Sequence, residues 1–155
     1  DWTDNASCIC LHPSMLPKYR GGSPIQNQII AGEKSSAVTL FKMDEKIDHG
    51  DIIKQNTFSL RGSLDDIFFR IETLGISMID DIINSNYFSC HKQNEEGATY
   101  CKRRTPEMSE IKISDFQNFT AEQLHNKIRC LQNPYPLPYI VCADNKKLYI
   151  TGSSL

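Results

Sequence analysis

A mixed α/β fold is predicted by three features of this sequence. Short runs of continuous or alternating apolar residues take turns along the chain with stretches whose apolar residues recur every three to four positions. Gly, Pro, Asn and Asp clusters fall at the boundaries between them. Hydrophobic residues at 39% and charged residues at 23% suit a chain that buries a core. The length of 155 residues fits one ordinary domain, or a mid-sized domain with a small appendage.

The elements follow in order. Residues 6–11 form a short apolar run that ends at His12 and Pro13, as a buried strand running into a loop does. Three prolines and the Gly21-Gly22 pair make 13–24 a loop of special backbone geometry. Ser23 as N-cap and Pro24 in the first turn open a short helix through Ile25, Ile29 and Ile30 that stops at Gly32. Residues 36–43 and 51–60 read as two strands of a hairpin that displays an acidic turn over 44–50. Ser63 caps a long helix whose apolar stripe is Ile67, Ile71, Leu74, Met78, Ile79 and Ile82, with Asp65 and Asp66 near its positive end. A polar connection follows over 90–97, and ordered structure resumes over 98–104. Thr120 and Gln123 form a capping box for a helix to about residue 132, ended by Pro134, Pro136 and Pro138. Residues 139–143 and 147–151 flank Asp144-Asn145-Lys146 as a compact hairpin. This divides the chain into a region 1–97 and a smaller α+β region 98–155.

Charge and composition narrow the function classes. Lys and Arg number 17 against 19 Asp and Glu, a net charge of −2, so the global field favours no nucleic-acid partner and any anion site is local. No apolar stretch approaches the ~20 residues needed to cross a bilayer, and the chain reads as a cytoplasmic protein. The six cysteines contain no CxxC pair and lie mostly in apolar surroundings, which points to thiols rather than a disulfide scaffold. Cys8, Cys10 and His12 alternate along one strand, but no fourth ligand is recognisable, so no metal is expected.

His12 stands at a strand end beside a glycine-shaped loop, where open α/β sheets place their ligands. The run from Leu11 to Gln28, LHPSMLPKYRGGSPIQ with two further residues of the helix, is followed by MDEKIDHGDII over 43–53. Together they closely resemble the folate-dependent formyltransferase family, and the two motifs stand at that family's mutual distance. ATYCKRRTPE over 98–107, Ile128-Arg129 and Asn133-Pro-Tyr-Pro136 look like the region that follows the catalytic domain in family members acting on tRNA or nucleotide sugars. The resemblance implies the later half of a Rossmann-like formyltransferase domain plus a small α+β C-terminal appendage. It also implies that the family's earlier strands and helices precede Asp1.

The resemblance further implies acyl transfer from 10-formyltetrahydrofolate, as co-substrate, to a primary amine. His12 matches the family histidine that stabilises the developing oxyanion and shuttles a proton. Asp48 matches the aspartate of the Asp-x-Gly turn, which orients the histidine and assists proton removal through water. Cys10 stands where the family has an asparagine that donates to the oxyanion. A thiol is a weak donor, and loss of one good oxyanion donor commonly costs ~10²–10³ in kcat. Arg20, Gly21, Gly22 and Gln26 are expected to border the acceptor, Lys102, Arg103 and Arg104 to meet its phosphates, and Tyr135 to stack on a base. The expected acceptor is a nucleotide-linked amino sugar for surface polysaccharide synthesis. The alternatives are methionyl-tRNA, a ribonucleotide, or a non-catalytic ligand-binding relative. The appendage, with exposed strand edges, is expected to support a homodimer.

Overall fold

The computed structural model describes residues 8–85 and 88–155. The expected first strand appears as β1, Ile9–His12, so His12 is its last residue; positions 6 and 7 of the expected run lie outside the described residues. The proline-rich loop contains a two-residue strand, β2 (Arg20–Gly21), and leads into helix α1 (Pro24–Ile30). Pro24 starts α1 as expected, but Ser23 does not cap it. Its φ of 50° is left-handed, and its hydroxyl accepts the backbone N–H of Arg104 at 3.1 Å instead.

Strands β3 (Ser35–Lys42) and β4 (Ile52–Ser59) form the expected hairpin. β1 and β4 flank β3, both antiparallel to it, with Cys10 opposite Phe41 and His12 opposite Thr39. A register shift between Leu40 and Phe41 marks the site where the hairpin end bends towards its turn. Helix α2 (Leu64–Ser85) packs on β3 and β4 through Leu64, Ile67, Ile71 and Met78, all buried. Full burial of a side chain such as Ile67 stabilises by roughly 1.5–3 kcal/mol. The expected stripe runs one residue too wide: Ile79 is 43% exposed, because it follows Met78 and turns away from the sheet.

Beyond α2 the chain forms β5 (Tyr100–Cys101), a 3-10 turn at Pro106–Ser109, α3 (Ile113–Asn118), α4 (Ala121–Arg129) and the hairpin β6 (Tyr139–Val141) and β7 (Lys147–Tyr149). The capping box of Thr120 and Gln123 is present in both directions. The 3-10 turn and α3 were not legible in the apolar pattern, since α3 has no buried residue. The boundary expected between 97 and 98 is not a packing boundary. β5 pairs in parallel with β2, and Cys130 and Leu131 sit in the same core as Ile25, Ile29, Leu40, Phe58 and Ile67. The two regions share their interior because α4 lies against α1. No described helix is long and apolar enough to cross a membrane.

Candidate functional site

β1 delivers His12 to the edge of a loop that the rest of the chain holds in place. The imidazole is 6% exposed, with Nε2 2.9 Å from the carbonyl oxygen of Tyr19. A carbonyl only accepts, so Nε2 carries the proton and Nδ1 is the position free to gain or lose one. Nδ1 faces Asp48 Oδ2 at 3.4 Å, a charge contact longer than a good hydrogen bond. Protonation at Nδ1 therefore produces an imidazolium beside a carboxylate, and deprotonation leaves a base at the same atom.

The Asp48 carboxylate is anchored by the backbone N–H of Gly21 at 2.7 Å. Gly21 serves here because its φ is 93° and a Cβ would lie 2.5 Å from the Cys101 carbonyl oxygen. Asp48 itself is left-handed, at φ 51°, an uncommon conformation for a residue with a side chain. Two features hold it there. Gly50 lets the turn fold against β3, where a Cβ would sit 1.7 Å from the Lys42 carbonyl oxygen. The Gln93 side-chain amide donates to the carbonyls of Asp48, at 2.9 Å, and Gly50, at 2.8 Å.

Gln93 is a residue that sequence reasoning missed. It lies in the polar stretch read as a plain connection, and only the fold carries that stretch under the turn. Its other end accepts from Arg20 Nε at 3.1 Å and Nη2 at 2.7 Å. Arg20, expected to border the acceptor, is instead fully buried and committed inward. Its guanidinium also meets Glu95 at 2.8 Å and Tyr100 at 2.9 Å. The Arg20 guanidinium holds the Glu95 carboxyl below its ordinary range. Arg20 is thus a beam between the loop after β1 and 93–100, and its expected contact with substrate is corrected on that ground. Thr99 is a second missed residue: its Oγ1 accepts the Tyr19 N–H at 2.8 Å, fixing the carbonyl that meets His12.

Cys10 lies two residues before His12 and lines a recess of about 280 Å³ with Phe41, Met43 and Asp48. Burial and the Asp48 charge push its thiol up from the ordinary value, so it is protonated and a poor nucleophile at neutral pH. Gly22 packs against Arg103, where a Cβ would lie 2.7 Å from its Cα. Gln26, Arg103, Arg104 and Tyr135 line one cavity together with Ser23, and His12 is not among its lining residues. Lys102 is exposed and does not line it.

A profile described as Formyl transferase matches residues 4–66. The methionyl-tRNA formyltransferase of Campylobacter curvus (strain 525.92) is 37% identical over 128 residues, 81% of this chain and 41% of that protein. The chain therefore spans less than half the length of this curated relative. Among solved structures, methionyl-tRNA formyltransferase from Clostridium thermocellum superposes with a TM-score of 0.87 at 33% identity, over 98% of this chain and 65% of that one. An N-formyltransferase from Helicobacter canadensis, in complex with folinic acid and dTDP-3-aminofucose, gives a TM-score of 0.69 at 28% identity, over 79% of this chain and 46% of its own.

Proposed function

From a chain that belongs to the formyltransferase family, we propose that the His12–Asp48 pair serves formyl transfer from 10-formyltetrahydrofolate to a primary amine. The observation that carries this reading is the imidazole Nδ1 at 3.4 Å from a carboxylate that Gly21 anchors. The amine lone pair attacks the formyl carbon, and the carbonyl oxygen becomes an oxyanion. His12, protonated at Nδ1, stabilises that charge. The attacking nitrogen loses its proton through water to Asp48. Collapse of the intermediate expels the folate nitrogen, which takes a proton, and leaves the formamide. General acid–base assistance of this kind is typically worth ~10²–10⁴ in rate. Cys10 Sγ is the weak donor at the remaining position.

Two acceptors have specific support. A nucleotide-linked amino sugar suits the local rather than global positive charge, in a chain of net charge −2, and a relative crystallised with dTDP-3-aminofucose. Methionyl-tRNA is supported by the name of the relatives at 37% and 33% identity. Incubation of the full-length protein with formyl-labelled folate and both acceptors separates them. Label in the nucleotide sugar supports the first, label in charged tRNA overturns it in favour of the second, and label in neither removes the catalytic reading. A cytoplasmic site of action and a homodimer built through the β6–β7 hairpin complete the proposal.

A further inference from the structure

We infer that His49 is a positioning residue for the reaction proposed above: through both nitrogens of its ring it ties the 44–50 turn, and with it the Asp48 carboxylate, to Glu95. The inference rests on the proposed role of the His12–Asp48 pair. His49 Nδ1 lies 2.6 Å from Asp44 Oδ2, on its own turn, and Nε2 lies 3.2 Å from Glu95 Oε1, on the connection after α2. Both carboxylates are anchored from behind. The second oxygen of Asp44 accepts the Lys46 backbone N–H at 2.9 Å. Glu95 is gripped by the fully buried Arg20, Nη2 to Oε1 at 2.8 Å and Nη1 to Oε2 at 3.1 Å. With the imidazole protonated, Asp44, His49, Glu95 and Arg20 form a row of alternating charge that runs from the exposed turn into the core.

Protonation decides whether the tie is complete. A carboxylate only accepts, so each contact is a hydrogen bond only where the ring nitrogen carries a proton. The imidazolium donates to Asp44 and Glu95 together, whereas the neutral ring has one N–H and turns a lone pair on the other carboxylate. The ring is 27% exposed, so solvent supplies the proton. It meets Asp44 from its own turn and Glu95, backed by Arg20, from the connection packed against it, and the Lys46 charge acts on both carboxylates. Burial opposes ionisation of Asp44, but the bonds from His49 and from the Lys46 N–H outweigh it and hold that carboxyl below its ordinary value. The effect reaches the candidate site because Asp48 directly precedes His49 and is left-handed, at φ 51°, a conformation in which the turn has to be held. Gln93 secures the Asp48 carbonyl from the buried side, and His49 secures the next residue from the exposed side. Asp44 and Asp48 also line the recess of Cys10 together, so the tie fixes two of its walls. A turn freed at His49 carries the Asp48 carboxylate away from its 3.4 Å contact with His12 Nδ1, and a misplacement near 1 Å can cost ~10² in rate.

The test compares formyl transfer by the full-length parent, His49→Gln and His49→Arg at about pH 6 and about pH 9, towards either end of the range in which imidazole side chains ordinarily change charge. His49→Gln keeps a donor and carries no charge, while His49→Arg is charged at both pH values and offers donors to both carboxylates. At the lower pH the kcat of His49→Gln is expected to fall roughly tenfold below the parent with KM within about twofold, and at the higher pH the two are expected to agree within about threefold. The titration of His12 is common to all three proteins and cancels in the ratio. His49→Arg is expected to stay within about threefold of the parent at the lower pH and to gain on it roughly threefold or more at the higher. A merely structural role would lower kcat by the same factor at both. A parent-to-Gln ratio that is independent of pH, or one below about twofold at the lower pH, overturns the inference. Where His49→Gln fails to fold, a parent-to-Arg ratio that does not move between the two pH values overturns it. Urea unfolding reads the tie without turnover: the midpoint of the parent is expected to exceed that of His49→Gln at the lower pH, and the gap to close at the higher. A parent that transfers formyl to no acceptor sinks the proposed function, and the urea gap then keeps or removes the tie by itself. Formyl transfer with a ratio independent of pH sinks the inference alone.

Discussion

Gln93→Leu removes a buried-side link between the Asp48 turn and the Arg20 beam, which Glu95 makes a second time from the exposed side through His49 Nε2 at 3.2 Å. The amide gives up two neutral bonds, to the carbonyls of Asp48 and Gly50, and two from the Arg20 guanidinium. A neutral bond is worth ~1 kcal/mol net, and one to a charged group ~1.5–3 kcal/mol. Arg20 Nη2 keeps Glu95, so only the Nε bond is counted in full. The sum is ~3.5–5 kcal/mol, and water reaching the half-buried turn lowers it to an expected ~2–3 kcal/mol. Urea unfolding should show the midpoint falling with m unchanged. The catalytic effect is separate. Asp48 holds its left-handed φ of 51° against a cost of ~1–2 kcal/mol, so a released turn relaxes and carries the carboxylate away from His12. A displacement near 1 Å can cost ~10² in rate. Gln93→Glu retains the acceptor for Arg20 but sets an oxygen against two carbonyls, so turnover should fall in it too. A Gln93→Leu protein within ~0.5 kcal/mol of the parent in urea and within twofold in kcat would refute the idea that Gln93 positions Asp48.

Further outcomes are equally specific. His12→Ala and Asp48→Asn should each lower formyl transfer by ~10²–10⁴ while circular dichroism stays parental, and a loss below tenfold in both would deny them a catalytic role. Cys10→Asn should raise turnover if the thiol is a weak oxyanion donor; an inactive protein in both forms supports a binding protein, and high activity of the parent argues against one. Because burial and Asp48 push the Cys10 thiol up, iodoacetamide at pH 7 should alkylate the exposed Cys90 and Cys142 well before Cys10, as peptide mass spectrometry can read. Gly50→Ala puts a carbon 1.7 Å from the Lys42 carbonyl oxygen, which no rotamer relieves, and should destabilise by at least ~1–3 kcal/mol in thermal unfolding. Burial opposes ionisation of Asp115, but its bond to Lys127 Nζ at 2.8 Å outweighs this and holds the carboxyl below its ordinary value of 3.8. A group depressed on folding stabilises above its unfolded pKa and loses that contribution as pH falls through the folded one. The stability gap between the parent and Asp115→Asn should accordingly be full at pH 6 and close below pH 3.8; a gap unchanged at low pH would refute the pairing.

Local chemistry marked most elements. Pro24 begins α1, Thr120 and Gln123 cap α4, and the β3–β4 hairpin displays its acidic turn, because each signal acts over a few residues of chain. It marked the two residues proposed as the catalytic pair as well, since His12 ends a strand and Asp48-His49-Gly50 needs a glycine where the turn meets Lys42. Ser23 misled for the same reason. A serine before a proline is a local cap signal, and a partner 81 residues later, Arg104, took its hydroxyl.

What the sequence by itself determined was the alternation of strands and helices, and the kinds of group at the candidate site: an imidazole, a carboxylate, and a thiol two residues before the imidazole. The tertiary structure alone decided which polar residues work together. β2 pairs with β5 across some 80 residues, and that pairing carries Gln93 under Asp48, buries Arg20 and sets Gln26 beside Arg104. Hydrophobic periodicity reports which face of an element is buried. It carries no information on which distant polar group meets which, because those contacts exist only once the core has closed.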